Sequence, residues 1–145
     1  MSIIALASDH GGYELKALLK DTLLELGYEA WDLGADGPES VDYPDYANAM
    51  ADALREGKAT RGVLVCGTGI GISIAANRHA HVRAALVQGP LEARLTRQHN
   101  DANVICFGGR MIGIDKAKEC LKVFLETEFE GGRHARRVEK LGRQR

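Results

Sequence analysis

Five short apolar runs alternate with segments of helical periodicity along the whole chain, and this alternation limits the possible folds more than any other feature. The apolar runs lie at residues 3–8, 28–34, 61–67, 82–88 and 102–109. The segments between them are typical of helices, such as residues 13–27, where leucines recur at helical spacing before a glycine. Short strands that alternate with helices form a parallel sheet covered on both faces. The sequence therefore predicts an α/β fold, a three-layer α/β/α sandwich around a five-stranded parallel sheet.

Length and composition are those of one globular domain. The chain has 145 residues, of which 45% are hydrophobic and 27% are charged, with no repeat or linker. We therefore expect a single domain over residues 1–145, in which residues 132–145 add a basic C-terminal helix and tail to a Rossmann-like sheet. The start of the chain lacks the features of a signal peptide, and no apolar run approaches the roughly 20 residues of a membrane span. We expect a cytoplasmic protein without a membrane partner.

Glycine-rich segments follow three of the predicted strands. They are "DHGG" at residues 9–12, "CGTGIG" at 66–71 and "GGR" at 108–110. In parallel α/β sheets the ligand site lies beyond the carboxyl ends of the strands, where the strand order reverses. We therefore expect the functional residues to lie in these three segments.

The central glycine loop does not fit the common nucleotide-binding motifs. Gly67, Gly69 and Gly71 are two residues apart, whereas a dinucleotide fingerprint needs its third glycine three positions after the second. The loop also lacks the Gly-Lys-Ser/Thr of a P-loop. Its backbone N–H groups, at the start of a helix, can still bind an anion or stabilise an oxyanion. Cys66 stands beside these dipoles, which is where a thiol becomes a nucleophile or a general base.

The other candidate groups have simpler alternatives. The three cysteines are odd in number and lack CxxC spacing, which argues against disulfides or a zinc site, and a cysteine is commonly a small buried hydrophobic residue. His10 and His99 are placed for proton transfer, whereas His79 and His81 flank a helix end as exposed or capping residues. Asp9 either caps a helix or accepts hydrogen bonds from a polyol.

The C-terminal segment is strongly basic. Residues 133–145 contain six basic residues and one acidic residue, a net charge of +5. Arg133 and Arg137 are four residues apart and share one helical face, so they can grip a phosphate together with Arg110. On the residues alone, a solvated basic helix is the simpler interpretation. Aromatic residues are scarce there, so nucleic acid is not an expected partner.

Five motifs together resemble one enzyme family. The stretches "SDHGG", "DYPDYA", "CGTGIGISIAANR", "RQHNDANVICFGGR" and "EGGRHARRV" are similar to those of type B ribose-5-phosphate isomerases, in the same order and spacing. That family also includes galactose-6-phosphate and allose-6-phosphate isomerases. The resemblance implies interconversion of D-ribose 5-phosphate and D-ribulose 5-phosphate through a cis-enediolate. A six-carbon sugar phosphate is the alternative substrate, and a nucleotide-binding module is the less favoured alternative function.

The resemblance also implies a role for each matching residue. Cys66 is the base that moves the proton between C1 and C2, and His99 opens the sugar ring. The expected catalytic residues are Cys66, His99 and Thr68, and the expected substrate-binding residues are Asp9, His10, Tyr43, Gly67, Thr68, Gly69, Ile70, Gly71, Asn100, Arg110, Arg133 and Arg137. Some family members use a glutamate after the last loop glycine, but this chain has Ile72 there, which favours the thiol. No metal or cofactor is expected, and the family forms homodimers with shared sites, often paired into tetramers.

Overall fold

The computed structural model of the protein describes residues 2–143, and it contains the predicted sheet between two layers of helices. The strands are β1 (Ile3–Ser8), β2 (Glu29–Asp32), β3 (Arg61–Cys66), β4 (Ala84–Leu86) and β5 (Val104–Gly108). The helices are α1 (Tyr13–Glu25), α2 (Tyr43–Arg55), α3 (Ile70–Ala76), α4 (Pro90–Asn100), α5 (Ile114–Glu126) and α6 (Arg133–Leu141). Met1, Gln144 and Arg145, the last two from the predicted basic tail, lie outside the described residues.

The strand order places a reversal at the centre of the sheet. All neighbouring strands are parallel, in the order β2-β1-β3-β5-β4. The chain therefore runs from β1 outward to β2, and then crosses to β3 on the other side of β1. Loops that leave β1 and β3 diverge at such a point and open a crevice at the carboxyl edge. The predicted three-layer α/β/α class is confirmed.

Alternation along the strands divides the core between the two faces of the sheet. In β3, Val63 and Val65 belong to the core cluster that includes residues of α1, α4 and α5. Leu64 and Cys66 belong to the cluster formed with α2 and α3, as does Cys106 of β5. The pleat thus directs Cys66 to the α2/α3 face, at the last position of its strand.

The two edge strands are clearly shorter than the sequence-based expectation. The edge strands β2 and β4 have four and three residues, fewer than the predicted runs 28–34 and 82–88. Each is hydrogen-bonded on one side only, so its ladder ends where its single partner diverges. Helix α3 begins at Ile70, directly after Gly69, whose positive φ of 78° turns the chain into the helix. Within residues 2–143, the helices are too short or too polar to cross a membrane.

Candidate active site

The three glycine-rich segments meet at the carboxyl edge of the sheet. The amide of Gly109 donates to the carbonyl of Cys66 at 2.8 Å, and the amide of Arg110 donates to the carbonyl of Gly67 at 2.9 Å. A Cβ atom on Gly109 would lie 2.7 Å from the carbonyl oxygen of Gly11. Glycine is therefore required at position 109, because backbone packs directly against backbone there. The loops after β1, β3 and β5 form one continuous surface around the central crevice.

Cys66 lies at the mouth of the central loop. It is 4% exposed, and its Sγ accepts a hydrogen bond of 3.2 Å from the amide of Gly69. The left-handed backbone of Gly69 makes this contact possible, and a Cβ there would lie 2.8 Å from the carbonyl carbon of Phe107. The sulfur is thus held beside the loop amides, at the end of the α2/α3 core cluster.

The other two cysteines are buried away from the central loop. Burial raises the pKa of the Cys106 thiol, and the neighbouring Cys66 raises it further. Burial likewise raises the pKa of Cys120 to about 11, with a smaller contribution from Glu119. Both are free thiols in the core and stay protonated near neutral pH. They fit the simple interpretation of small buried hydrophobic residues.

The amides of the central loop are partly used within the loop itself. The amide of Gly69 is bonded to the thiol, and the amide of Ile70 donates to Oγ1 of Thr68 at 3.2 Å. Within residues 2–143, no protein group accepts a hydrogen bond from the amides of Gly67, Thr68 or Gly71. These three N–H groups are the donors that remain for an anionic oxygen next to the sulfur.

Asp9 and His10 shape the loop that follows β1. The Asp9 side chain is buried, and its Oδ1 accepts from the amides of Gly11 at 2.9 Å and Gly12 at 3.2 Å. It thereby caps the short 3₁₀ turn, the simpler of the two interpretations given above. Nδ1 of His10 accepts from the amide of Val41 at 3.2 Å. A neutral His10 therefore carries its proton on Nε2, which remains available to a ligand.

Tyr43 and Arg110 complete the group around the thiol. Tyr43 is the first residue of α2, and a Cβ on Gly71 would lie 2.7 Å from its Cζ. The guanidinium of Arg110 lies over Gly67, where a Cβ would be 3.4 Å from Nη1. Arg110 also lines a cleft of about 460 Å³ together with His10. We call this group the thiol cluster; it comprises Asp9, His10, Tyr43, Cys66, Gly67, Thr68, Gly69, Ile70, Gly71 and Arg110.

A second group lies where α4 ends and α6 begins. The rings of His99 and His134 are stacked, with centroids 4.4 Å apart and an angle of 13° between their planes. Oε1 of Glu130 lies 3.6 Å from Nε2 of His134 and 4.0 Å from Nε2 of His99. A cleft of about 310 Å³ is lined by His99, Asn100, His134, Arg137, Val138 and Leu141. We call His99, Asn100, Glu130, Arg133, His134 and Arg137 the histidine cluster.

Both arginines of α6 are exposed beside this cleft. Arg133 is the first residue of the helix, and Arg137 follows one turn later on the same face. Arg136 is also exposed, but it is one position away from that face. The sequence-based pairing of Arg133 with Arg137 is therefore compatible with the geometry of α6.

His134 is held in its neutral form. Burial lowers its pKa from 6.5, and the nearby cations His99, Arg133 and Arg137 lower it further, while Glu130 acts in the opposite direction. A histidine that is neutral at pH 7 presents an uncharged flat ring to its neighbour.

This shift predicts a pH dependence of stability. The folded pKa of His134 lies below 6.5, so the unfolded chain binds more protons between the two values. The free energy of unfolding therefore rises with pH through this window, and part of it is lost as the pH falls below about 6.5. Urea unfolding of the wild type and His134→Phe at about pH 7.5 and pH 5.5 tests this. An equal pH dependence in both proteins would contradict the assignment.

The stacked histidines fit a metal ion poorly. One ligand atom each from His99, Glu130 and His134 lies within 4.8 Å of the others. However, the lone pair of an imidazole nitrogen lies in the ring plane, so nearly parallel stacked rings direct their lone pairs side by side. A tetrahedral zinc ion needs them to converge on one point. One ring would have to rotate out of the stack before both could bind the same ion.

The two clusters lie at opposite ends of the strands, the thiol cluster at the carboxyl ends and the histidine cluster at the amino ends. Cys66 is paired with Gly108 at the end of β5, whereas His99 precedes Val104, where β5 begins. Four residue steps along a strand separate these ends by about 13 Å. Of the residues predicted for the site, one chain brings Asp9, His10, Tyr43 and Arg110 to the thiol. It does not bring His99, Asn100, Arg133 or Arg137 there.

Sequence reasoning did not find some members of the site. It missed the Val41 amide that binds His10, and it missed Glu130, Val138 and Leu141, while His134 was left without a role. The one available signal was the spacing of Glu130 and His134, four residues apart at the start of a helix.

Comparison with known proteins adds independent findings. A family model described as Ribose/Galactose Isomerase matches residues 4–141. Ribose-5-phosphate isomerase B of Escherichia coli is 45% identical over 97% of this chain and 95% of its own length. D-Erythrulose-4-phosphate isomerase of Pectobacterium atrosepticum is 41% identical over 98% of this chain and 94% of its own. A structure of Clostridium thermocellum ribose-5-phosphate isomerase B superposes with a TM-score of 0.95 at 48% identity, covering 97% of this chain and 95% of that one.

Proposed function

The chain belongs to the ribose/galactose isomerase family, and from this starting point we propose that it interconverts D-ribose 5-phosphate and D-ribulose 5-phosphate. The observation that carries the proposal is the position of Cys66, whose Sγ is held at 3.2 Å by the amide of Gly69 beside loop amides without a protein acceptor. A base next to anion-binding amides is what aldose–ketose isomerisation requires.

The first step of the proposed mechanism is opening of the furanose ring by His99. The imidazolium gives its proton to the ring oxygen as the bond between that oxygen and C1 breaks. The C1 hydroxyl loses its proton to water, which leaves an open-chain aldehyde. The exposed position of His99 at the end of α4, on the wall of a cleft, supports this role.

The second step is proton transfer by Cys66. The thiolate removes the proton from C2 of the aldehyde, and a cis-enediolate forms with its negative charge on oxygen. The amides of Gly67, Thr68 and Gly71 donate to that oxygen. The proton of the C2 hydroxyl passes to the oxygen on C1, and the thiol returns its proton to C1, so that C2 becomes the carbonyl carbon of the ketose. These dipoles supply the charge stabilisation for which other isomerases use a metal ion, so the proposed mechanism needs neither a metal nor a cofactor.

The remaining residues hold the substrate. His10 Nε2, Tyr43 and the turn capped by Asp9 would contact the sugar hydroxyls, and Asn100 would contact sugar oxygens from the other cluster. Arg110, Arg133 and Arg137 bind the phosphate by charge-assisted hydrogen bonds. The contacts of the proposed site are thus divided between the two clusters.

A homodimer follows from this division. Ring opening breaks the bond between C1 and the ring oxygen, and proton transfer runs between C2 and C1 of the same sugar. His99 and Cys66 must therefore act on one bound molecule, yet in one chain the sheet separates them. A second chain must therefore bring its histidine cluster to the thiol cluster. Ile70 and Ile74, on one face of α3 beside the loop, are 53% and 60% exposed and offer an apolar surface for this contact. Pairing of dimers into tetramers rests on the family resemblance alone.

A direct assay determines how many carbons the preferred substrate has. The Pectobacterium relative is named for a four-carbon substrate, so family membership does not fix the number of carbons. Turnover is measured on ribose 5-phosphate, allose 6-phosphate, galactose 6-phosphate and erythrulose 4-phosphate, each with and without a chelator. We expect the highest kcat/KM on ribose 5-phosphate, unchanged by the chelator. Higher activity on a six-carbon substrate would establish the alternative, and binding of nucleotide without isomerisation would reject both.

Removing either arginine of the shared α6 face will weaken substrate binding. Arg133→Ala or Arg137→Ala should lower kcat/KM by roughly 10- to 150-fold, mainly through KM, because a lost charge-assisted bond is worth about 1.5–3 kcal/mol. Arg136→Ala is the matched control, since it removes the same charge from an adjacent exposed position. Three equal, small effects that vanish in salt would indicate diffuse electrostatics instead of a phosphate site.

A further inference from the structure

We infer that His134 is a positioning residue for His99, which it holds in the orientation for ring opening by stacking one imidazole on the other. The inference rests on the proposed function, because it assigns a means of alignment to the residue that opens the ring. The family resemblance assigns no role to His134, and this residue belongs to a different helix from His99.

His99 depends on this contact because little else restrains its ring. Its side chain is 41% exposed, and within residues 2–143 no hydrogen bond to its ring is formed. An imidazole at the exposed end of a helix turns freely about its two side-chain torsions. The ring of His134, with its centroid 4.4 Å away and its plane at 13°, restricts that rotation and fixes the plane in which Nε2 and Nδ1 point.

The ring of His134 is itself held in place by its surroundings. The His134 side chain is 10% exposed, and Oε1 of Glu130 lies 3.6 Å from its Nε2. Its amide donates to the carbonyl of Gly131 at 3.1 Å, and the amide of Glu130 donates to the carbonyl of Gln98 at 3.1 Å. The segment before His134 is therefore hydrogen-bonded to Gln98, the residue directly before His99. The two imidazole rings keep their relative position even though α4 and α6 are distant in sequence.

Most of the charges around His134 favour its neutral form. His134 faces His99 from α4, Arg133 and Arg137 from α6, and Glu130 from the segment before α6. A second imidazolium in the stack would add a cation to this set, with one carboxylate to offset it. His134 therefore presents an uncharged flat ring to His99.

Two partial reactions distinguish an effect of His134 on the alignment of His99 from any other role of His134. In a Cys66→Ala background no isomerisation occurs, and ring opening is observed alone as enzyme-catalysed exchange between the α and β anomers of ribose 5-phosphate, by NMR. With Cys66 present, proton transfer is observed alone as the rate at which saturating ribulose 5-phosphate loses a C1 hydrogen in D₂O. That substrate cannot close a furanose ring, so its reaction does not require His99.

Three substitutions of His134 are compared in both reactions. His134→Gln keeps a polar group without a stackable ring, His134→Leu keeps the buried volume, and His134→Phe keeps a flat ring. We expect the first two to slow anomer exchange about 10- to 100-fold, since a misplacement of about 1 Å costs on the order of 100-fold. His134→Phe should stay within about threefold of the parent, and C1 hydrogen loss should be nearly unchanged in all three. Arg136→Ala, on the same helix, is the control.

Four outcomes would contradict the positioning role of His134. Equal losses in both reactions would show a structural or phosphate-binding role, as would a rise in KM at constant rate. A Phe variant as slow as the Gln variant would show that the ring nitrogens matter and not the stack, and unchanged exchange in His134→Leu would show no role at all. Any of these overturns the inference. Failure of the proposed function looks different, because then the unsubstituted protein itself catalyses neither isomerisation nor C1 hydrogen loss.

Discussion

Cys66→Ala will abolish isomerisation while sugar phosphate still binds. The substitution removes the proposed base and leaves the arginines in place, and loss of a general base costs on the order of 10²–10⁴-fold in kcat. Alanine fits the space of the thiol at the end of β3, so the fold should be retained. The measurement is kcat on ribose 5-phosphate, together with a binding titration of the inactive variant. More than about a tenth of the wild-type kcat would contradict the assignment.

The two other cysteines provide matched controls for this prediction. Cys106 and Cys120 are buried thiols with raised pKa values, so their replacement by alanine should change stability more than rate. Iodoacetate should inactivate the wild type in proportion to carboxymethylation of Cys66, and bound substrate should slow both. Inactivation that follows modification of another cysteine would show that the thiol at the loop is not the essential one.

His99→Asn will separate ring opening from proton transfer. Asparagine cannot act as an acid near neutral pH, so anomer exchange in the Cys66→Ala background should fall by about 10²–10⁴-fold. In the proposed mechanism, proton transfer depends on Cys66 and the loop amides at the other cluster. Loss of the C1 hydrogen from ribulose 5-phosphate should therefore continue at close to the wild-type rate.

The comparison is made between these partial reactions for a thermodynamic reason. The ratio of kcat/KM in the two directions is fixed by the overall equilibrium, so no variant can change it. His81→Asn serves as a control, because His81 is bonded to the carbonyl of Ala51 on α2 and lies in neither cluster. Parallel losses of anomer exchange and C1 hydrogen loss in His99→Asn would remove the ring-opening role.

The fold was predictable from sequence because its determinants are local. Apolar runs and helical periodicity fix the order of elements, and their alternation requires a parallel sheet covered on both faces. The lengths of β2 and β4 were not predictable, since an edge strand ends where its one partner turns away. The start of α3 at Ile70 depends on the left-handed Gly69, a conformation that the sequence permits but does not specify.

The thiol cluster was predictable for a topological reason. Parallel strands end at the same edge, so the loops after β1, β3 and β5 had to meet there. The histidine cluster shows the limit of this reasoning, because its position depends on how α6 packs against α4. Glu130 and His134 reach His99 through that contact between distant segments. One chain also contains no information about the residues that a second copy presents.

In the proposed homodimer, the separation of the thiol cluster from the histidine cluster by about the length of a strand makes the two halves of the site genetically separable. A chain that lacks the thiol still offers an intact histidine cluster, and a chain that lacks His99 still offers an intact thiol. When the two inactive chains pair, one of the two composite sites contains both damaged groups, and the other contains none. Activity can therefore arise from two defective alleles by complementation between subunits, and a single defective allele does not silence every site in a mixed population.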